Sequence, residues 1–129
     1  MEITTAAQNA ITIMHVNGNI DSSTYQAFQA KAEELVADGA RFLVVDMTNA
    51  PFMSSAGLRA LHNIFNRLRS IHKDADDDAL RKAIRAGAYK SPYLKVCCLS
   101  NETKEVFELG GFDAYIESYN NLESAISSF

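Results

Sequence analysis

The apolar pattern is dominated by a continuous run at residues 42–45, Phe-Leu-Val-Val. It is short and rich in β-branched residues, which predicts a strand buried on both faces. Asp46 breaks the run, and Thr48-Asn49-Ala50-Pro51 reads as a loop. Pro51 has no amide proton and disfavours helical geometry at Ala50. Beyond it, Leu58, Leu61, Ile64, Phe65, Leu68 and Ile71 recur every three or four residues. That spacing predicts a long helix with one apolar face. Ser54 and Ser55 stand just before it, where a hydroxyl accepts from first-turn amides. Strand, loop, paired serines and helix therefore make one unit that places two hydroxyls at a helix N-terminus.

The rest of the chain alternates around this unit. Residues 1–7 are weakly patterned and suggest at most a short edge strand through Ile3, whereas 10–16 alternate as a strand should. Asn17-Gly18-Asn19 supplies turn chemistry. Asp21, Ser22 and Ser23 are cap candidates for a helix over 24–37, whose apolar face carries Tyr25, Phe28, Ala32, Leu35 and Val36. Asp38-Gly39 closes it. Residues 94–99 read as a second buried strand. Ser100 or Asn101 then caps a short helix, with Glu102 and Glu105 favourable to its dipole, and Gly110-Gly111 ends it. Residues 114–116 suggest a brief last strand. Asn120-Asn121 opens a final helix with Leu122, Ala125, Ile126 and Phe129.

This order predicts a single α/β domain over 1–129, with a central mixed, mostly parallel sheet of four to five strands and about four helices. Residues 73–92 are too many for a helix-to-strand connection and read as an inserted, partly mobile helical excursion. Asp76 to Asp78 suit a helix start, and Leu80, Ala83 and Ile84 suit its docking. Cation binding by Asp74, Asp76, Asp77 and Asp78 is the weaker reading, because the glycine and glutamate of a calcium loop are missing.

Composition narrows the function classes. The chain has 129 residues, 47% hydrophobic and 22% charged, values ordinary for a globular protein. Twelve basic against sixteen acidic residues give a net charge of −4, which argues against nucleic acid as a partner. No stretch has membrane-spanning length and no signal peptide is evident, so a cytoplasmic home without membrane insertion is expected. Cys97 and Cys98 are adjacent. In a strand they would face opposite sides, and they read as reduced small hydrophobes rather than a disulfide or metal site.

Catalytic signatures are missing: there is no glycine-rich phosphate loop, no His-Glu-x-x-His and no Gly-x-Ser-x-Gly elbow. The histidines are His15, His62 and His72. Helical spacing puts His62 roughly 10 Å from the serines along the axis, so neither serine gains a base. Nor does any cofactor or metal suggest itself. A binding or switching module is expected, not an enzyme.

The central stretch resembles the STAS family, the small domains of anti-sigma factor antagonists. In that family a strand ends at an aspartate, an aromatic-bearing loop follows, and a short Asp-Ser-x-Gly-Leu motif opens a helix. Val44-Val45-Asp46, Phe52-Met53 and Ser54-Ser55-Ala56-Gly57-Leu58 occupy those places. Gly18-Asn19-Ile20-Asp21 and the run from Val96 to Phe112 match further, leaving only 73–92 outside. The resemblance implies that a kinase-type anti-sigma factor binds the unphosphorylated domain and then phosphorylates it, so that the complex dissociates. Ser55 matches the phosphoacceptor. Ser54 replaces the usual aspartate and is an alternate acceptor. Asp21, Ser54, Ser55 and Gly57 would form the docking surface, Gly57 by letting a partner backbone approach. Other readings are a non-switching STAS subunit of a lipid-transport ATPase complex and a nucleotide or small-ligand sensor.

Overall fold

The apolar run at 42–45 lies in the middle strand of a five-stranded sheet, in a computed structural model that describes residues 1–73 and 76–129. In chain order the strands are β1 (Glu2–Gln8), β2 (Ile11–Asn17), β3 (Phe42–Asn49), β4 (Leu94–Cys97) and β5 (Glu117–Tyr119). Their spatial order is the same; β1 is antiparallel to β2 and every other pairing is parallel. The helices are α1 (Tyr25–Ala37), α2 (Ser55–His72), α3 (Asp77–Arg85), α4 (Asn101–Leu109) and α5 (Leu122–Ser127). The expected mixed, mostly parallel α/β architecture is therefore present.

Alternation along the strands divides the core in two. On one face Met14, Leu43, Val45, Met47, Leu94 and Val96 pack with helical Phe28, Leu61, Phe65 and Phe107. The other face is smaller: Ile11, Ile13, Val44 and Cys97 meet Ala125 of α5. Toward the C-terminal ends of the strands this second face turns polar. His15 is the register partner of Asp46, and Asp46 is that of Cys97.

Several boundaries differ from the sequence expectation. β3 continues through Thr48 to Asn49, because a bulge after His15 keeps β2 in register with it as far as the Asn17–Asn49 pair. β1 is a full strand paired along its length with β2. The hairpin turn between them sits at Asn9, in the left-handed region with φ 57°, a conformation asparagine tolerates. Residues 112–114 form a 3-10 turn instead of opening a strand, and Ile116 is fully buried in the main core. The last strand follows at β5. β4 stops at Cys97, since Cys98 adopts φ 63°. The two cysteines are therefore not related by strand alternation.

Within the excursion, α3 begins as expected: the Asp76 carboxylate accepts from the Ala79 amide at 2.8 Å. Leu80 packs onto the main core and is 7% exposed, with Ile84 and Tyr89 beside it. Asp74 lies outside the described residues. Among the described residues no helix is long and apolar enough to cross a membrane.

Candidate functional site

The loops leaving β2 and β3 are joined to each other by backbone hydrogen bonds. Gly18 N donates to Asn49 O at 3.0 Å, Ile20 N to Phe52 O at 3.0 Å, and Ser54 N to Ile20 O at 2.8 Å. Gly18 has φ +109°, which a residue with a Cβ adopts only under strain. This parallel bridge between Ile20 and Met53 sets Asp21 to Ser23 alongside Ser54 and Ser55. The start of α4 fastens the same loop from the other side. Thr103 Oγ1 accepts from Met53 N at 3.1 Å, and Ser100 Oγ donates to Pro51 O at 2.7 Å. Thr103 is fully buried. Neither Ser100 nor Thr103 carries a sequence signal for this role beyond the capping position of Ser100.

The two serines have different positions. Ser54 is the N-cap of α2, with extended backbone at φ −79° and ψ 176°, and its hydroxyl accepts from Gly57 N at 3.4 Å. Ser55 is the first helical residue and is exposed. Capping thus occupies Ser54 and leaves the Ser55 hydroxyl at the surface. The amides of an 18-residue helix open at this point, and such an end favours negative charge.

Gly57 is buried, and the space a side chain would need is filled from within the chain. A Cβ there would lie 2.6 Å from Met53 Cγ and 2.9 Å from Ile20 Cγ2. The close approach expected of a partner backbone is made instead by the molecule's own joined loops. Asp21 caps its own turn: Oδ1 accepts from Ser23 N at 2.9 Å and from Ser23 Oγ at 2.7 Å. Those bonds, with weaker ones from Thr24, hold its carboxyl below the usual value against a smaller effect of burial. The N-cap of α1 is Thr24, which makes no side-chain capping bond.

Two grooves flank the serines. One, about 380 Å³, lies between α2 and α4 and is lined by Ser55, Leu58, Arg59, Val106, Leu109 and Phe112. Leu109 there is 80% exposed. The other, about 500 Å³, runs between α1 and α2 past Ser22, Tyr25, Arg59 and Asn63. Arg59 borders both, one helical turn beyond Ser55.

The histidines are engaged elsewhere. His62 Nε2 accepts from the Asn66 amide at 3.1 Å, which leaves its proton on Nδ1, 2.8 Å from the Tyr115 hydroxyl. Burial, and then the charge of Arg69, hold His62 below its ordinary value. Burial likewise pushes Tyr115 up to about 12. His72 stacks on Tyr93 with ring centroids 3.8 Å apart. His15 Nδ1 sits 2.7 Å from Asp46 Oδ2. No histidine is placed to activate either serine.

Comparison with known proteins agrees with this architecture. The family model described as the STAS domain matches residues 2–72 and ends where the excursion begins. BtrV of Bordetella bronchiseptica, named as a candidate anti-sigma factor antagonist, is 25% identical over 129 residues, covering 100% of this chain and 95% of its own. The crystal structure of an anti-sigma factor antagonist from Mycobacterium paratuberculosis superposes with a TM-score of 0.74 at 20% identity. It covers 98% of this chain and 92% of that one. The Bacillus cell fate determinant SpoIIAA in its phosphorylated form gives a TM-score of 0.64 at 14% identity, covering 98% of both chains. With its family model spanning more than half the sequence and its fold shared along nearly the whole length, the chain belongs to the STAS domain family.

Proposed function

We propose that the chain is a cytoplasmic, non-catalytic partner-switching regulator of the anti-sigma factor antagonist type. In its unphosphorylated form it binds a kinase-type anti-sigma factor through the surface around Asp21, Ser54 and Ser55, with Gly57 beneath. Phosphorylation of Ser55 ends the contact. The observation that carries this reading is the division of labour at the helix start: Ser54 caps, while Ser55 is exposed at the first helical position. The fold of SpoIIAA, solved in a phosphorylated form, is consistent with it.

The physics of the switch follows from that placement. A phosphoryl group adds roughly −1.5 to −2 charge and three acceptor oxygens. At Ser55 it meets the open amides and positive end of α2, with the Arg59 guanidinium one turn on. These partners hold the new charge without disturbing the cap, so the domain stays folded while its docking surface gains negative charge. A Ser55→Asp variant tests this. It should fold as the parent does and bind the kinase-type partner at least tenfold more weakly, about 1.4 kcal/mol. Unchanged affinity in a calorimetric titration would sink the docking claim.

The apolar groove beside Ser55, with Leu109 exposed at its edge, favours a second reading. In it this end of α2 packs permanently on an ATPase subunit and carries no phosphate. Copurification with a transporter ATPase and an unmodified Ser55 would support that reading.

A further inference from the structure

On the sheet face opposite α2, one cluster of side chains has no part in the serine site. His15, Asp46 and Cys97 stand in register on three adjacent strands, at the C-terminal ends of the parallel set. In open α/β sheets ligands collect at those ends. His15 Nδ1 lies 2.7 Å from Asp46 Oδ2, and Thr48 donates to Asp46 Oδ1 from its amide at 3.0 Å and its hydroxyl at 2.6 Å. Cys97 Sγ is 3.7 Å from that same oxygen.

The backbone brings the second cysteine in. Strand alternation would turn Cys98 away from Cys97, but Cys98 has φ 63°, a conformation uncommon outside glycine, asparagine and aspartate. As a result one carboxylate oxygen of Asp46 and the sulfurs of Cys97 and Cys98 all lie within 4.8 Å of one another. Strain in a non-glycine residue commonly accompanies a functional site. Here it places two sulfurs on one carboxylate.

We propose that Asp46, Cys97 and Cys98 bind a divalent transition-metal ion of the zinc type, with His15 and Thr48 orienting the carboxylate. Tetrahedral bonds of about 2.3 Å to sulfur and about 2.1 Å to oxygen put neighbouring ligand atoms about 3.6–3.8 Å apart. The Cys97–Asp46 separation already has that value; the Cys98 sulfur lies within 4.8 Å of both and would give up its 3.6 Å contact with the Asn120 carbonyl on binding. Two sulfurs select a borderline or soft ion over magnesium or calcium. The fourth position falls to water, since Cys98 is half-buried at the surface end of the cluster. Binding exchanges two thiol protons for the ion: M²⁺ and two S–H give an M(S)₂ unit and two protons released to solvent. His15 acts through Asp46, as outer partners of metal-bound carboxylates and histidines do.

Cobalt titration of the reduced full chain tests the site, because cobalt reports thiolate ligation by a charge-transfer absorption. One cobalt per chain with that absorption is expected, and zinc should bleach it. Cys98→Ser, at a half-buried position, should keep the native circular dichroism and lose about half of the band. His15→Ala should weaken binding about 10- to 100-fold with the band position unchanged, which simple loosening of the fold would not produce. No thiolate band in the parent protein would overturn the proposal, as would a band of equal intensity in Cys98→Ser.

Discussion

Ser54 donates its amide to the carbonyl of Ile20 at 2.8 Å, and Ile20 donates its own to Phe52 at 3.0 Å. This pair of bonds fixes the start of α2 against the loop that carries Asp21. Two loops distant in sequence are joined into one surface because both belong to one extra parallel bridge beyond the strands, between Ile20 and Met53. The serines, the Asp21 turn and the grooves on either side of α2 are then held in one geometry, which a docking partner can meet without first ordering it.

The capping role of Ser54, which Ser55 does not share, predicts different contributions of the two serines to stability. Ser54→Ala removes the cap and should lower stability by about 1 kcal/mol. Ser55→Ala, at an exposed non-capping position, should stay within about 0.5 kcal/mol of the parent. Urea denaturation of both variants checks the contrast. Equal losses would mean that the hydroxyls share the cap.

Gly57→Ala should destabilise the domain by about 1–3 kcal/mol. The new methyl meets Met53 Cγ and Ile20 Cγ2 at less than contact distance, and the Ile20 carbonyl at 3.0 Å. Amide resonances of Ile20, Asp21 and Ser54 should shift most. A variant with parental stability and an unperturbed spectrum would show that the loops have slack there.

His62 should make stability fall as the solution is acidified through 6.5. Burial and Arg69 hold its folded value below the 6.5 ordinary for histidine. Between the two values the unfolded chain binds the extra proton, so stability rises with pH there. Above 6.5 both states are neutral and the contribution is complete; once pH is below the folded value it is gone. In His62→Gln this part of the pH dependence should be absent. Ring-proton titration by NMR gives the folded value directly, and a value at or above 6.5 would contradict the burial argument.

The sequence made the centre of the molecule legible and the polar second face largely illegible. Phe42 to Val45 announces a buried strand because every residue is apolar, and the helix over Leu58 to Ile71 is announced by its period. β1 is mostly exposed, so it lacks an alternating signal, and its strand character comes from pairing with β2. β5 carries Glu117-Ser118-Tyr119, whereas the more apolar residues just before it are spent on a turn and on burying Ile116. The placement of Ser54 and Ser55 at a helix start was recognisable from the periodic helix that follows them. The true reason for Gly57 was not, since Ile20 lies 37 residues away. His15, Asp46 and Cys97 are likewise joined only by strand register, and the left-handed backbone at Cys98 has no local sequence marker.

Mapping phosphate on the purified protein after incubation with ATP and each kinase-type anti-sigma factor of its own genome tests partner switching most directly. Mass spectrometry should place one phosphate on Ser55, retained in Ser54→Ala and lost in Ser55→Ala. Phosphate on Ser54 alone, or none with any kinase beside stable binding to another protein, would contradict it.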